Sequence, residues 1–489
     1  MDLAPFPSNR IEGWLPGFHR AMSLHPSRCN GYVIAQHNKA ARHFGMPRTL
    51  LAALLLLVAL AAPVPAFAAE KPNLLVIITD DQRADGTLDV MPATRRKIGG
   101  QGITFDDAYA TTPKCCPSRA SFFTGLYAHN HGVISNGEAD KLDHTTTVQR
   151  LVRNKGYRTA IFGKFLNAWP VEVNPPFFDD WAISNGNYNK SYWNIGGQPR
   201  TKRSYSVDFV AKKAARFIRD ADREDDDQPW LEWVTPYAPH LPSTPPDRYR
   251  NALLPAFPVT PAMQETDLSD KPDFLTRAYD HDNFLATMRD DGRRSLMAVD
   301  DLVRRLMDQL KKHGEVDNTL VVFASDNGFM LGEHGGVVAK DLPYPASTRI
   351  PLMLRWPGHA RKGRTSDKLV ANLDVAATLL KAAGVRRRTD GRSLLDPGRR
   401  DALLVESRGS YNEDRAPLLP GFRSVRTPDY RYTEYYRHNT FDLVFREYYD
   451  LTVDPWELEN RADELPPEQV AALSQQLQDY GTCRRAECP

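Results

Sequence analysis

Apolar runs of strand length alternate with helical patterns along the chain after residue 70. Residues 73–79, NLLVIIT, form a continuous apolar run rich in β-branched residues, which is typical of a strand buried on both faces. The segments 157–162 (YRTAIF), 229–234 (PWLEWV) and 319–324 (TLVVFA) are also strand-like. The alternation predicts an α/β fold in which helices cover a sheet.

Three helices are predicted between these strands. Residues 146–154 are closed by Gly156, and the segments 207–219 and 293–311 are amphipathic. Their apolar faces comprise Val207, Val210, Ala214, Phe217 and Ile218 in 207–219, and Leu296, Val299, Leu302, Val303, Leu306 and Leu310 in 293–311. The acidic run that follows 207–219, DADREDDD, is interpreted as a solvated connection.

The pattern changes at about residue 401. Short strand-like runs, YRYTEYY and FREYYDL, precede a helix that is predicted from Pro467 to Tyr480. This order indicates a smaller C-terminal α+β domain, residues 401–489, with an antiparallel sheet and a packed helix. The tyrosines at 430, 432, 435 and 436 are interpreted as sheet packing, with a sugar-binding platform as the alternative.

Length, charge and one apolar segment limit the classes of function. The chain has 489 residues and a formal net charge of +2 with mixed signs. This charge does not indicate binding to nucleic acid or to an anionic membrane surface. Residues 46–69 have the pattern of a signal peptide cleaved near Ala68, and residues 1–45 are interpreted as an upstream extension. We therefore predict a secreted or periplasmic protein without stable membrane insertion, whose large domain spans 70–400.

Polar side chains follow four of the predicted strands. Ligands of doubly wound sheets bind at the carboxyl ends of parallel strands, so these side chains can converge on one crevice. They are Asp80 and Asp81, Lys164, His240, and Asp326 and Asn327. The aspartates and the asparagine offer only oxygen ligands, which favours calcium or magnesium over zinc.

The stretch 114–120, KCCPSRA, contains two of the five cysteines. Pro117 suits the first turn of a helix and Gly125 its end, so Cys115 is predicted at a helix N-terminus, where a thiol pKa is lowered. Arg119 adds a guanidinium group, whose paired N–H donors suit sulfate or phosphate oxygens. Cys483 and Cys488 form a disulfide in an oxidising compartment if their geometry allows it, which spacing alone leaves open.

At this point the chain resembles the sulfatase family of the alkaline phosphatase superfamily. The matching motifs are Cys115-Cys116-Pro117-Ser118-Arg119 with Thr124-Gly125, ITDDQ (78–82), FGK (162–164), APH (238–240), SDNG (325–328) and YDLTVDPWELEN (449–460). FGKFLN and the doubled cysteine are most similar to the branch of N-acetylglucosamine-6-sulfatases and extracellular endosulfatases. The resemblance implies a large mixed, mostly parallel sheet and a catalytic domain at 70–400.

The resemblance also implies roles for these residues. A formylglycine-generating enzyme would oxidise Cys115, and the hydrated aldehyde would attack sulfur. Arg119 would steady the hydrate, and Lys164, His240 and Lys340 would contact the sulfate, with His240 and Lys340 assisting the leaving oxygen. Calcium, or magnesium as second choice, would be bound by Asp80, Asp81, Asp326, Asn327 and the modified Cys115.

Several positions depart from the family pattern. Leu166 stands where many sulfatases have a histidine, and Met330 and Pro345-Ala346 replace other polar positions of the branch. His334 is either a substitute contact or a structural loop residue. His129 and His131 either touch the site or pack around it.

Three functional hypotheses follow. The leading one is a sulfuric ester hydrolase acting on a sulfated carbohydrate such as N-acetylglucosamine-6-sulfate. The second is a phosphodiesterase or phosphonate monoester hydrolase that uses the same site. The third is a non-catalytic glycan-binding relative, and the presence of Cys115, Arg119 and the metal set argues against it.

Overall fold

A computed structural model describes residues 71–224, 228–275, 282–411, 417–437 and 442–489 of the chain. These ranges contain one large sheet, one smaller sheet and two short strand pairs. The strands are β1 Asn73–Thr79, β2 Ile103–Phe105, β3 Ala108–Tyr109, β4 Arg158–Gly163, β5 Asp180–Ser184, β6 Ser191–Ile195, β7 Gln198–Lys202, β8 Trp230–Thr235, β9 Thr319–Ser325, β10 Leu352–Arg355, β11 Arg364–Ser366, β12 Val370–Ala371, β13 Leu403–Ser407, β14 Ser410–Tyr411, β15 Pro417–Leu419, β16 Gly421–Arg426, β17 Tyr430–Tyr436 and β18 Leu443–Asp450.

Helices lie in several of the connections between these strands. They are α1 Pro92–Lys97, α2 Cys115–Thr124, α3 Ala128–His131, α4 Val148–Arg153, α5 Ser206–Glu224, α6 Asp282–Lys312, α7 Pro345–Thr348, α8 Leu373–Ala382 and α9 Pro467–Tyr480, with a further helical turn at Glu333–Gly336. The predicted helices at 146–154, 207–219, 293–311 and 467–480 correspond to α4, α5, α6 and α9.

The large sheet has ten strands in the order β11-β2-β10-β9-β1-β8-β4-β5-β6-β7. β9, β1, β8, β4 and β5 are parallel, whereas β10, β6 and β7 are antiparallel to their neighbours. All seven residues of β1 are buried, as expected for an apolar strand at the centre of a sheet covered on both faces. The predicted mixed, mostly parallel sheet is confirmed.

Helices cover both faces of this sheet. Leu74 and Val76 of β1 pack in one core with residues of α2 and α8, whereas Leu75 and Ile77 pack in the other with α5 and α6. The apolar faces predicted for 207–219 and 293–311 are buried in this second core. The two helical layers leave the carboxyl ends of the parallel strands to the loops that carry polar residues.

The interpretation of the acidic run after residue 219 is partly wrong. α5 continues to Glu224, so 220–224 are helical instead of forming a connection. The helix continues because Ala221 remains on its buried face. Residues 225–227 lie outside the described residues.

The smaller sheet is antiparallel, with the order β13-β16-β17-β18. Leu473 and Leu477 of α9 pack against it together with Tyr432. The Tyr435 hydroxyl donates to Glu447 Oε2 (2.5 Å), and both Tyr432 and Tyr435 are fully buried. The packing interpretation is therefore confirmed for these two tyrosines, and the sugar-platform alternative is wrong for them.

The predicted upstream extension 1–45 and signal peptide 46–69 lie outside the described residues. The division into domains at residue 400 stays a prediction. Among the described helices, none is long and apolar enough to cross a membrane.

Glu232 places a carboxyl group inside the sheet. It lies on β8 next to Ala160 and Leu75 of the neighbouring strands and is fully buried. Neither carboxyl oxygen has a hydrogen-bond partner within the described ranges. Burial, with a smaller contribution from Asp180, raises the pKa of Glu232 well above its ordinary value. The folded protein therefore favours the protonated carboxyl.

Replacing Glu232 with leucine is expected to stabilise the protein by about 1–3 kcal/mol, because it removes a buried polar group without a partner.

A raised pKa means that the folded state binds more protons than the unfolded state above pH 4.5. Stability that is present below the unfolded pKa is thus lost as pH rises towards the folded pKa. Glu232→Gln should match the wild type near pH 4 and exceed it at pH 8, measured by urea unfolding. Equal pH dependence of the two proteins would contradict this reading.

Candidate active site

The carboxyl ends of β1, β4, β8 and β9 meet at one edge of the large sheet. Asp81 has a φ of 67°, so the chain leaves the extended conformation immediately after Asp80. Its backbone N–H donates to Asp326 Oδ1 (3.0 Å), which ties the end of β1 to the end of β9. The two neighbouring carboxylates of β1 can therefore face the same point.

The N-terminus of α2 supplies the thiol at this point. Cys115 Sγ lies 3.4 Å from Asp80 Oδ1 and 3.7 Å from Asp81 Oδ1. α2 begins at Cys115 and ends before Gly125, whose φ of 72° is left-handed, so the predicted helix is confirmed at both ends. Every residue of α2 is buried, which fixes the position of the thiol.

The expectation of a lowered thiol pKa is wrong. Burial raises the pKa of Cys115 well above its usual value, and Asp326 and Asp80 act in the same direction. Lys164 and Lys340 oppose the shift without reversing it. Burial and the two carboxylates thus outweigh the two lysines.

Cationic side chains surround the carboxylates. Lys164 Nζ lies 2.7 Å from Asp80 Oδ2, and Lys340 Nζ donates to Asp81 Oδ1 (2.7 Å) and to Cys115 Sγ (2.8 Å). These two lysines come from opposite sides of the site, one after β4 and one from the loop after β9. Lys340 keeps 17% of its side chain exposed, whereas Lys164 keeps 3%. Lys340 therefore lies nearer the mouth of the site.

His240 lies at the same mouth, with 25% of its side chain exposed. Its Nδ1 lies 2.8 Å from the Leu241 carbonyl oxygen, and its Nε2 lies 3.6 Å from Asp81 Oδ2. A carbonyl accepts only, so Nδ1 carries a proton and Nε2 faces the site.

Arg119 is fully buried beneath these groups. Its Nε donates to Asp326 Oδ2 (2.8 Å) and its Nη1 to the Lys164 carbonyl oxygen (2.8 Å). It therefore links β9 to the loop after β4.

The charges determine which groups ionise. Burial opposes ionisation of Asp80, yet Lys164, His240 and Arg119 hold its pKa well below the usual range. The pKa of Asp81 is also lowered, chiefly by Lys340 acting against burial. Burial and the charge of Asp80 raise the pKa of Asp326. The lysines stay charged, because neighbouring carboxylates raise their pKa values against burial.

The donor set fits a hard divalent cation. Asn327 Oδ1 is buried and has no hydrogen-bond partner in the described part of the chain, whereas its Nδ2 donates to Asp81 Oδ1 (2.7 Å). Carboxylate oxygens of Asp80 and Asp81 lie beside Cys115 Sγ, whereas the Asp326 oxygens accept from the Asp81 and Asn327 N–H groups and from Arg119 Nε. Carboxylates with an amide oxygen are calcium or magnesium ligands. Asp80, Asp81, Cys115 and His240 also bring ligand atoms within 4.8 Å of one another.

Three contributors to this site carried no predicted role. The Tyr237 ring lies 4.7 Å from the His240 ring and 5.8 Å from Lys164 Nζ. Asn136 Oδ1 accepts from the Cys116 backbone N–H (3.0 Å), and Lys114 pairs with Asp341 (2.8 Å). Tyr237 directly precedes the APH motif, so its position in the sequence could have identified it as a site residue. The other two depend on loops that only folding brings together.

The histidines proposed as additional contacts have structural partners. His129 Nδ1 lies 2.8 Å from Glu406 and His131 Nε2 lies 3.1 Å from Ser121 Oγ. His334 pairs with Glu265 and lies against the Tyr344 ring. Of the two alternatives that the sequence left open for each histidine, the structure supports packing between other elements.

Leu166 and Met330, which replace polar residues of related proteins, are both buried in apolar clusters. They therefore provide no proton-transfer group.

The four cysteines in the described ranges fall into two pairs with different chemistry. Cys483 and Cys488 form a disulfide, which answers the question that their spacing left open. Cys115 and Cys116 are free and buried. Burial raises the pKa of Cys116 to about 12, and this side chain packs in the core instead of facing the carboxylates.

Two family models match the chain. The model described as "Sulfatase" matches residues 72–385, which include every residue of the site. The model described as "N-sulphoglucosamine sulphohydrolase, C-terminal" matches residues 332–482.

Curated relatives are similar over different shares of their length. The extracellular sulfatase SULF-1 homolog of Drosophila melanogaster is 32% identical over 66% of this chain, which spans only 31% of that protein. The N-acetylglucosamine-6-sulfatase of Capra hircus is 29% identical over 86% of this chain and 85% of its own length.

A solved protein in complex with its substrate D-glucosamine-2-N,6-O-disulfate has the same fold. The TM-score is 0.68 at 24% identity, and the match covers 84% of this chain and 98% of that chain.

Proposed function

This chain belongs to the sulfatase family of hydrolases, and we propose that it removes the 6-O-sulfate from N-acetylglucosamine units of a sulfated carbohydrate. The observation that carries the substrate proposal is the similarity to N-acetylglucosamine-6-sulfatases over 86% of this chain. The arrangement around Cys115 supports the chemistry, because a nucleophile position, a metal-ligand set and three cations face one another.

Cys115 is the proposed nucleophile position. After oxidation by a formylglycine-generating enzyme, one hydroxyl of its hydrated aldehyde attacks sulfur and displaces the alcohol. Deprotonation of the second hydroxyl then expels sulfate and returns the aldehyde. Arg119 stabilises this position through Asp326, to which its Nε donates at 2.8 Å. Asn136 holds the first turn of α2 by accepting from the Cys116 N–H.

Lys164 and Lys340 bind the sulfate group. Their ammonium groups contact the carboxylates that flank Cys115, on two sides of the thiol. Sulfuryl oxygens at this point would meet two charged donors in a site where burial strengthens electrostatic attraction. The lysines therefore orient the ester and neutralise charge on its oxygens.

His240, when protonated on both ring nitrogens, donates its Nε2 proton to the leaving alcohol oxygen. The Leu241 carbonyl fixes its Nδ1, so Nε2 is the atom directed towards the site. His240 and Lys340 are also the two site residues with substantial exposure, which places them where a sugar leaving group would project.

A calcium ion, with magnesium as second choice, would be held by Asp80, Asp81, Asp326, the Asn327 amide oxygen and the oxidised Cys115. When bound, it supplies positive charge for the sulfuryl oxygens and for the nucleophilic hydroxyl. The three carboxylates are formally balanced by Arg119, Lys164 and Lys340, so a divalent cation would leave a net positive site suited to a sulfate ester.

The protein is proposed to act outside the cytoplasm. The Cys483–Cys488 disulfide supports an oxidising compartment, and residues 46–69 have the pattern of a signal peptide. Its partners are then a sulfated glycan and, during maturation, the formylglycine-generating enzyme.

The test compares substrates with the enzyme from its exporting host. N-acetylglucosamine 6-sulfate should be hydrolysed with a kcat/KM at least about tenfold above that for N-acetylgalactosamine 6-sulfate, since a differently placed hydroxyl leaves polar groups unpaired. A phosphodiester and a phosphonate monoester are assayed as the other two substrates. Faster hydrolysis of a phosphorus ester would favour the phosphonate hydrolase hypothesis, and no hydrolysis of any ester by oxidised, metal-loaded protein would favour the glycan-binding one.

A further inference from the structure

Two neighbouring segments form an exposed basic surface that the proposed chemistry does not use. The loop after α8 and the disulfide-closed tail contribute six exposed arginines, here called the arginine cluster. They are Arg386, Arg387, Arg388, Arg392, Arg484 and Arg485. Arg386, Arg387 and Arg388 line one cavity with Arg484 and Arg485, which shows that the two segments are adjacent.

A buried carboxylate and the disulfide hold the two segments together. Asp390 Oδ1 accepts from the Arg485 backbone N–H (2.7 Å), and its Oδ2 accepts from the Tyr127 N–H and from Asn130 Nδ2 (2.8 Å). The Cys483–Cys488 bond closes the tail around Arg484 and Arg485. The cluster therefore rests on a fixed scaffold instead of a free terminus.

Little negative charge opposes the cluster. Across the described residues, none of the six guanidinium groups forms an ion pair or a side-chain hydrogen bond. Asp390 lines the cavity as one carboxylate, whose oxygens accept only from neutral N–H groups, against six arginines. Asp396 pairs with Lys381 (2.6 Å). Asp143, near Arg387, and Glu487 are the exposed acidic neighbours. A concentration of unpaired arginines attracts anionic ligands.

The cluster is separate from the active site. Leu126, just beyond the C-terminal end of α2, lines the cavity of the cluster, whereas Cys115 begins the same helix at the other end. α2 has ten residues, which corresponds to about 15 Å. A ligand on the cluster would thus leave the catalytic groups free.

We infer that the arginine cluster is a second binding site, for a polysulfated polysaccharide chain that also carries the ester to be cleaved. This inference rests on the proposed function for the identity of the polymer. Guanidinium groups match sulfate oxygens in a two-donor geometry, and repeated sulfates match repeated arginines. Cavities of about 390 and 850 Å³ between the arginines provide room for sugar rings. Binding here would retain the polymer near the active site between cleavage events.

Binding of a heparin octasaccharide tests the inference, measured by calorimetry at two salt concentrations. Arg387→Ser/Arg388→Ser should weaken the affinity about tenfold, because exposed ionic contacts are individually modest. Arg484→Ser/Arg485→Asn should weaken it similarly, and asparagine suits the left-handed backbone at 485, where φ is 59°. The matched control is Arg95→Ser/Arg96→Ser on α1, which removes the same charge from an exposed surface and should leave affinity unchanged.

The outcomes separate the cluster from the catalytic site. Saturating N-acetylglucosamine 6-sulfate should not displace the octasaccharide, and every variant should keep the wild-type kcat/KM on that monosaccharide. Equal loss of affinity in the control would overturn the inference, as would unchanged affinity in both cluster variants. Tighter binding to a single-stranded oligonucleotide or to anionic phosphatidylserine vesicles would also overturn it. If the monosaccharide is not hydrolysed but the octasaccharide binds as expected, the proposed function fails and the binding site stands.

Discussion

Replacing Cys115 with alanine is expected to reduce sulfate-ester hydrolysis by a factor of about 10³ or more, as loss of a covalent nucleophile does in other hydrolases. The Sγ lies within 3.7 Å of carboxylates of both Asp80 and Asp81, so the substitution removes the proposed nucleophile from the position beside the metal-ligand set. The measurement is kcat/KM on N-acetylglucosamine 6-sulfate, with mass spectrometry of the peptide that spans Cys115. The wild-type peptide should contain an aldehyde at 115 and an unchanged thiol at 116.

Cys116→Ala is the matched control for this prediction. It removes the neighbouring thiol from the apolar core and should cost stability without reducing kcat/KM more than a few-fold. Thermal unfolding of both variants distinguishes lost chemistry from lost folding. Full activity of Cys115→Ala, or an intact Cys115 thiol in fully active enzyme, would contradict the formylglycine mechanism.

Removing divalent metal ions is expected to lower hydrolysis by about 10³-fold, the range of several kcal/mol that a metal contributes as a Lewis acid. The buried oxygen of Asn327 and the carboxylates at the ends of β1 and β9 remain without their cation after chelation. Calcium should restore activity, and magnesium should restore it less. Calcium should also raise the free energy of unfolding, by about 2.7 kcal/mol at one hundred times its Kd.

Asn327→Leu provides the control for the metal prediction. The substitution removes one oxygen ligand, while the leucine side chain is similar in size to asparagine and leaves the charge unchanged. It should reduce the calcium-dependent rise in the unfolding temperature. Measuring unfolding separates metal binding from catalysis. A chelated enzyme that keeps full activity, together with an unfolding temperature indifferent to calcium, would contradict the assignment.

The local sequence was sufficient for the elements of the site. The strand 73–79 and the helix that begins at Cys115 have the predicted bounds, because an apolar run and a Pro–Gly pair encode them over a few residues. The motifs also identified the residues that lie around Cys115, and the similarity to sulfatases confirms the family. The roles of the individual residues stay predictions until the variants are measured.

The sequence by itself determined the α/β class, the family and the residues that lie around Cys115, since these depend on local periodicity and short motifs. Tertiary structure alone decided which groups are ionised, because the pKa of Cys115 depends on burial and on carboxylates from distant strands. It also decided that His129 pairs with Glu406 and that arginines distant in the sequence share one surface. Among the described residues, it leaves the Glu232 carboxyl without a hydrogen-bond partner. Long-range contacts set the environment of a side chain, and no local pattern records them.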